Sequence, residues 1–194
     1  MPRSKTLCLT TGLAALLSVG CQNKSVDPPL VRLNQDPAQR VKLLINTGGP
    51  DMEKVDYRVH ANYQIVTPEC VPLDHNKALG GVRPLFFENV NLETTEATPR
   101  SIGVELFEDY IVAENYYGLG DCYWEPLTVE VRIDDGSGVA AAFNVRSLKQ
   151  GDTLIKSCSS LNPHSLQTNP CIDAAAVVNA HADGFKISAR LDQE

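Results

Sequence analysis

Long apolar runs are missing from this 194-residue chain: no stretch reaches the ~20 residues that a membrane-spanning helix requires. Basic charge is also scarce. Seventeen Lys and Arg stand against 24 Asp and Glu, a formal net charge of −7. A nucleic-acid binder needs clustered cations to neutralise phosphates, so a broad basic recognition face is excluded. The usual catalytic signatures are missing too. Gly136-Ser137-Gly138 lacks the frame of a nucleophile elbow and sits where a hairpin turn is needed. There is no phosphate-cradling glycine loop and no His-Glu-x-x-His, and Asp134-Asp135-Gly136 lacks the spaced ligands of an EF-hand loop. No two cysteines have the close spacing of a zinc ribbon, and His60, His75, His164 and His181 are scattered without ligand periodicity. No metal or cofactor is therefore expected. Glu105, Glu108 and Asp109 are acids of the type glycoside hydrolysis uses, but acidic pairs abound here and the chain is not read as an enzyme.

What is present suits one ordinary globular domain, with 43% of residues hydrophobic and 21% charged. The amino terminus is distinctive. Arg3 and Lys5 form a small positive region, followed from Leu7 to Val19 by a short apolar core rich in Leu and Ala. This is the pattern of a secretory signal. It ends at Leu17-Ser18-Val19-Gly20-Cys21, which resembles the lipobox of bacterial lipoproteins, with Ser18 where that family usually has Leu. The resemblance implies that residues 1–20 are removed and that Cys21 is diacylated as the new first residue. Gln22, by resemblance to the lipoprotein sorting pattern, implies an outer-membrane anchor facing the periplasm. Several acyl chains at ~0.8 kcal/mol per buried CH2 make such an anchor effectively permanent. Cleavage by ordinary signal peptidase, without lipid, is the alternative. Loss of Arg3 and Lys5 leaves 15 basic against 24 acidic residues, a formal −9.

Cysteine usage agrees with lipidation. Of six cysteines, Cys8 falls in the leader and Cys21 carries the lipid, which leaves Cys70, Cys122, Cys158 and Cys171, an even number for an oxidising compartment. Three pairings are possible. Cys158–Cys171 with Cys70–Cys122 is favoured, the first closing a loop that holds Leu161-Asn162-Pro163-His164 and Asn169-Pro170. Either bridge is worth ~3 kcal/mol in the chain-entropy model.

Residues 21–40 are polar and proline-rich (Asp27-Pro28-Pro29, Asp36-Pro37) and read as the lipidated cysteine and a flexible tether, with a single β-rich domain over 41–194. Apolar residues at Val55, Tyr57, Val59, Ala61, Tyr63 and Ile65 alternate with polar ones up to Pro68, which predicts a long half-exposed strand. Leu127, Val129, Val131 and Ile133 repeat the pattern. They run into Asp134-Asp135-Gly136-Ser137-Gly138, whose residues tolerate a reversal into Val139, Ala141, Phe143 and Val145 as a hairpin. Further candidates are Lys42–Asn46, Leu85–Thr94, Ile102–Leu106 with a continuation at Tyr110–Ala113, Thr153–Cys158 and Phe185–Leu191. Asp173–Ala182 suits either a helix or the first arm of a terminal hairpin, and the hairpin is preferred. About eight short strands with few helices predict an antiparallel β-sandwich with two disulfides.

One segment stands apart in charge. Between Glu105 and Asp135 nine acids face Arg132 alone, and the same stretch holds Phe107, Tyr110, Tyr116, Tyr117, Tyr123 and Trp124 around Gly118-Leu119-Gly120. Rings as anchors and acids as steering charges would suit a basic protein partner. The candidate partner-binding residues are Glu105, Glu108, Asp109, Glu114, Tyr116, Tyr117, Asp121, Tyr123, Trp124 and Glu125. The plainer alternative makes the rings core and the acids solvated strand faces, as Glu130 certainly is.

Gly120-Asp121-Cys122-Tyr123-Trp124-Glu125-Pro126-Leu127, ahead of an alternating strand, looks like a Gly-x-Cys-x-Trp element of small Gram-negative lipoproteins. These include immunity proteins encoded beside type VI secreted phospholipase effectors. The resemblance implies an anchored, periplasm-facing domain that binds a delivered toxin and blocks its active site. Lipid-anchored lysozyme inhibitors share the compartment and a cationic target, but their Ser-Gly-x-x-Tyr type of loop is not found here. A structural or assembly lipoprotein of the outer membrane, and after it a periplasmic hydrolase, are the alternatives.

Overall fold

The computed structural model describes residues 25–48, 57–98, 100–133, 140–158, 171–173 and 185–191. Its strands are β1 (Arg40–Gly48), β2 (Tyr57–Ile65), β3 (Phe87–Leu92), β4 (Thr94–Thr98), β5 (Ser101–Phe107), β6 (Trp124–Ile133), β7 (Ala140–Asn144), β8 (Leu154–Cys158), β9 (Ile172–Asp173) and β10 (Phe185–Leu191). A single turn and a half of helix, α1 (Val145–Lys149), follows β7. The strands form a six-stranded sheet in the order β4-β5-β1-β10-β8-β9 and a four-stranded sheet in the order β3-β2-β6-β7. All neighbours run antiparallel. The protein is thus mainly β, an antiparallel sandwich with ten strands among the described residues, where about eight were expected. The surplus has two sources. The predicted Leu85–Thr94 strand stops at Leu92, and after Glu93 the chain changes sheets to begin β4; the two-residue β9 is too short to leave a periodic trace.

Alternation drives the packing, because every second side chain of a strand faces the partner sheet. Leu43 and Ile45 of β1, Ile102, Val104 and Leu106 of β5, and Ile187 and Ala189 of β10 meet Val59, Ala61 and Tyr63 of β2, Val129 and Val131 of β6, and Phe143 of β7 in one buried core. The β6–β7 hairpin is present, with Arg132 opposite Ala140, while its turn lies outside the described residues. Most of Asp173–Ala182, left between helix and strand, also lies outside them. Tyr110–Ala113 is not a strand; Ile111 makes a lone bridge to Leu33.

β6 carries the main irregularity. Asn62 pairs with Thr128 but Tyr63 pairs with Pro126, so Leu127 is the extra residue of a bulge. Leu127, expected to face inward, is therefore turned out and 40% exposed. Helix α1 has a local cause. Asn144 takes extended backbone angles and its side chain accepts from the Ser147 N–H, the standard N-cap arrangement, while Val145 and Leu148 are buried against the sandwich.

Both disulfides join the favoured partners: Cys70–Cys122 across 52 residues and Cys158–Cys171 across 13. The tether reading ends earlier than proposed. Residues 25–39 lie along the domain as a strap, held by the Leu33–Ile111 bridge and by Asn34 N–H to Tyr110 O (2.8 Å) and Val112 N–H to Arg32 O (2.9 Å). Most of its bonds are made by backbone, which composition does not report.

Candidate functional site

One end of the sandwich gathers the strap, the loop after β2, the β5–β6 connection and α1. The β5–β6 connection is the acidic aromatic segment singled out from sequence, and the structure divides it in two. The first set faces the strap and the start of β1. Asp109 accepts the backbone N–H groups of Ala38 (2.9 Å) and Gln39 (3.0 Å). Burial alone would raise its pKa, but these two donors outweigh that and hold the carboxyl below its ordinary value. Glu105 pairs with Arg40 at 3.0 Å and Glu114 with Arg32 at 2.6 Å. Tyr117 donates to the Asp27 carbonyl at 2.8 Å and stacks on Phe86, and Tyr116 donates to the Val112 carbonyl and meets Tyr117 edge-on. Burial raises both phenol pKa values.

Trp124 is buried at 5% exposure, and its indole N–H approaches the Tyr116 hydroxyl without reaching hydrogen-bond geometry. Deeper still, Tyr63 donates to the Phe107 carbonyl and stacks near Tyr110, which ties the core to the start of the segment. These rings and acids therefore serve the fold of this end.

The second set faces outward. Glu108 and Glu125 line a groove of about 570 Å³ together with Val66, Leu85 and Leu127 and with Arg146 and Lys149 of α1. Glu108 is paired with Lys149 at 2.7 Å. Tyr123 is exposed beside it, its carbonyl accepting the Val66 N–H at 2.9 Å, and Asp121 is exposed one residue before Cys122. Of the ten residues singled out, two thus line the groove and two more stand close to them in the chain. Leu127, Leu85, Val66, Arg146 and Lys149 were not anticipated. A bulge hides Leu127 from a period-two reading, and Leu85 precedes its strand, so neither leaves a periodic signal.

The groove opens onto the outer face of the four-stranded sheet, where Gln64, Asn62, His60 and Arg58 of β2 continue away from it. On that face His60 approaches Glu130 at 3.3 Å, and Glu130 also holds Arg132 at 2.6 Å. Among the described residues, no three His, Cys, Asp or Glu side chains converge as metal ligands would, and no helix is long and apolar enough to cross a membrane. What the site offers chemically is apolar area among side chains of both charges. No family model, curated protein or solved structure matches this chain.

Proposed function

We propose that this chain is a lipid-anchored periplasmic binding protein, held in the outer membrane through Cys21, that neutralises a secreted antibacterial effector by direct binding. The effector is a lipase or cell-wall hydrolase of basic charge. The groove carries the reading. Val66, Leu85 and Leu127, between 40% and 63% exposed, line it together with the charged Glu108, Glu125, Arg146 and Lys149. Apolar surface with a polar rim is the ordinary anatomy of a protein interface. The frame around it is set in advance by Cys70–Cys122 and the strap, which lowers the ordering cost of association. The acidic excess supports a basic partner by speeding encounter, and the paired cysteines fit an oxidising compartment.

The test is protection. The product of the adjacent gene, directed to the periplasm, should arrest growth, and this chain should restore it and form a complex with that product on size-exclusion chromatography. Leu127→Asp with Leu85→Asp should abolish both effects, since a buried unpaired carboxylate costs several kcal/mol. Failure of the unmodified chain to protect, or protection undiminished in the double variant, would overturn the reading.

A further inference from the structure

Residues 71–85 form an ordered prong beside the groove, and its chemistry is opposite to that of the rest of the molecule. Asp74 and Val82 pair backbone to backbone in both directions, at 2.7 and 3.1 Å, and Gly81 donates to Ala78 at 2.9 Å. Gly81 has a positive φ of 82°, and a Cβ there would meet Leu73 Cβ and the His75 ring at 2.9 Å, so the turn is tightly closed. Arg83 donates to the Val71 carbonyl, and Cys70 fixes the base to Cys122. On this frame Leu79 is completely exposed, at 107% of its reference area, and Leu73 and Val82 are about two-fifths exposed. At that exposure the Leu79 side chain buries no area within the fold.

The charges point the same way. Asp74 is the one acid of 71–85, and it is fully buried, accepting from Asn76 N–H and Ser25 Oγ; the cations of the segment are Lys77 and Arg83. With Arg83 turned back onto the Val71 carbonyl, the prong presents apolar side chains and Lys77, in a chain whose overall charge is −7.

Its position relative to Cys21 completes the argument. Ser25 is bonded to Asp74 at the base of the prong, and the four steps from Cys21 to Ser25 span at most about 14 Å. We infer that the Leu73–Val82 prong is a second membrane contact, seating Leu79 in the interface of the same anionic bilayer that holds the lipidated Cys21, with Lys77 against the headgroups. This rests on the proposed acylation of Cys21. Apolar tips and juxtamembrane cations are the established means by which a surface-bound element enters the ~5–10 Å boundary layer.

The experiment uses the mature chain purified from envelopes and reconstituted into phosphatidylethanolamine and phosphatidylglycerol vesicles with brominated acyl chains. Leu79→Trp adds a reporter beside the buried Trp124, and Ile155→Trp on β8 serves as the comparison. The added emission of Leu79→Trp should shift to the blue and fall by about half or more, as a residue seated in the boundary layer requires, while that of Ile155→Trp should not change. Adding Lys77→Gln should lower the inserted-to-free ratio about five-fold, the worth of one cation at an anionic surface. Mass spectrometry of the same preparation reads acylation separately. Acylated Cys21 with unquenched emission at 79 would overturn the prong contact alone, as would equal quenching at 79 and 155. Emission at 79 that responds to the effector rather than to lipid would overturn it in favour of a protein contact. An unacylated Cys21 would remove the lipoprotein reading and this inference together.

Discussion

The two disulfides brace regions of contrasting kind. Cys70–Cys122 joins the loop after β2 to the β5–β6 connection at the end where strap, prong and groove meet, and all four cysteines are buried in the common core. Cys158–Cys171 lies at the margin of the six-stranded sheet, between the last residue of β8 and the residue before the two-residue β9, and Cys171 donates its N–H to Ala140 of the other sheet. With loops of 52 and 13 residues, chain entropy assigns about 4 and about 3 kcal/mol to them. Near-equal energies thus serve unequal roles. The first bridge organises several long-range loops into one surface, and the second secures an edge too short to hold itself.

Replacing each pair separately would sharpen or break that contrast. Cys70→Ala with Cys122→Ala should cost about 4 kcal/mol in urea unfolding and also abolish the proposed effector binding; Cys158→Ala with Cys171→Ala should cost about 3 kcal/mol and spare that binding. Equal losses of binding would dissolve the distinction.

Two glycines of the loop end should come next in size. Gly81→Ala should cost about 2 kcal/mol or more, because a left-handed backbone and a close Cβ contact both oppose it. Gly118→Ala, with a positive φ but open space around it, should cost about 1 kcal/mol. Both are read from the shift in denaturation midpoint.

Acid should loosen the strap. For Asp74, burial raises the pKa, but bonds from Asn76, Val26 and Ser25 outweigh it, so Asp74, like Asp109, titrates below its ordinary 3.8. The unfolded chain therefore takes up these protons first. The stability they contribute is fully present above the ordinary value and is lost as pH falls through the lower folded values. Asp74→Asn and Asp109→Asn should flatten the acid limb of a stability-against-pH curve, and an unchanged limb would count against the strap contacts. The smallest effect belongs to the groove rim. Lys149→Ala, losing an exposed pair with Glu108, should change stability by no more than about 0.5 kcal/mol, less still in high salt.

The parts of the fold that repeat were legible in advance. Period-two alternation marked β2, most of β6, β7 and β10, and loop chemistry with cysteine number indicated the pairing of the four cysteines. Where periodicity breaks, foresight ended. The bulge at Leu127 turned an apparent core residue into a groove residue, and α1 is too short for a helical period to declare itself. The strap is proline-rich and polar, which reads as a tether, yet it docks through backbone groups and single side chains that no pattern of apolar residues announces. The acidic segment illustrates the same limit. Its charge was visible, but Asp109 and Glu114 are turned toward the strap, and only Glu108 and Glu125 reach the groove.

The strap also sets an order of events. Its bonds from Ala38 to Asp109 and from Asp27 to Tyr117 span 71 and 90 residues, so its partners are synthesised long after it. Closing such large loops is slow and comes after local pairing. The strap is consequently made before the residues that hold it, and refolding followed by proteolysis should find the chain near Tyr117 protected before residues 25–39 become resistant to cleavage.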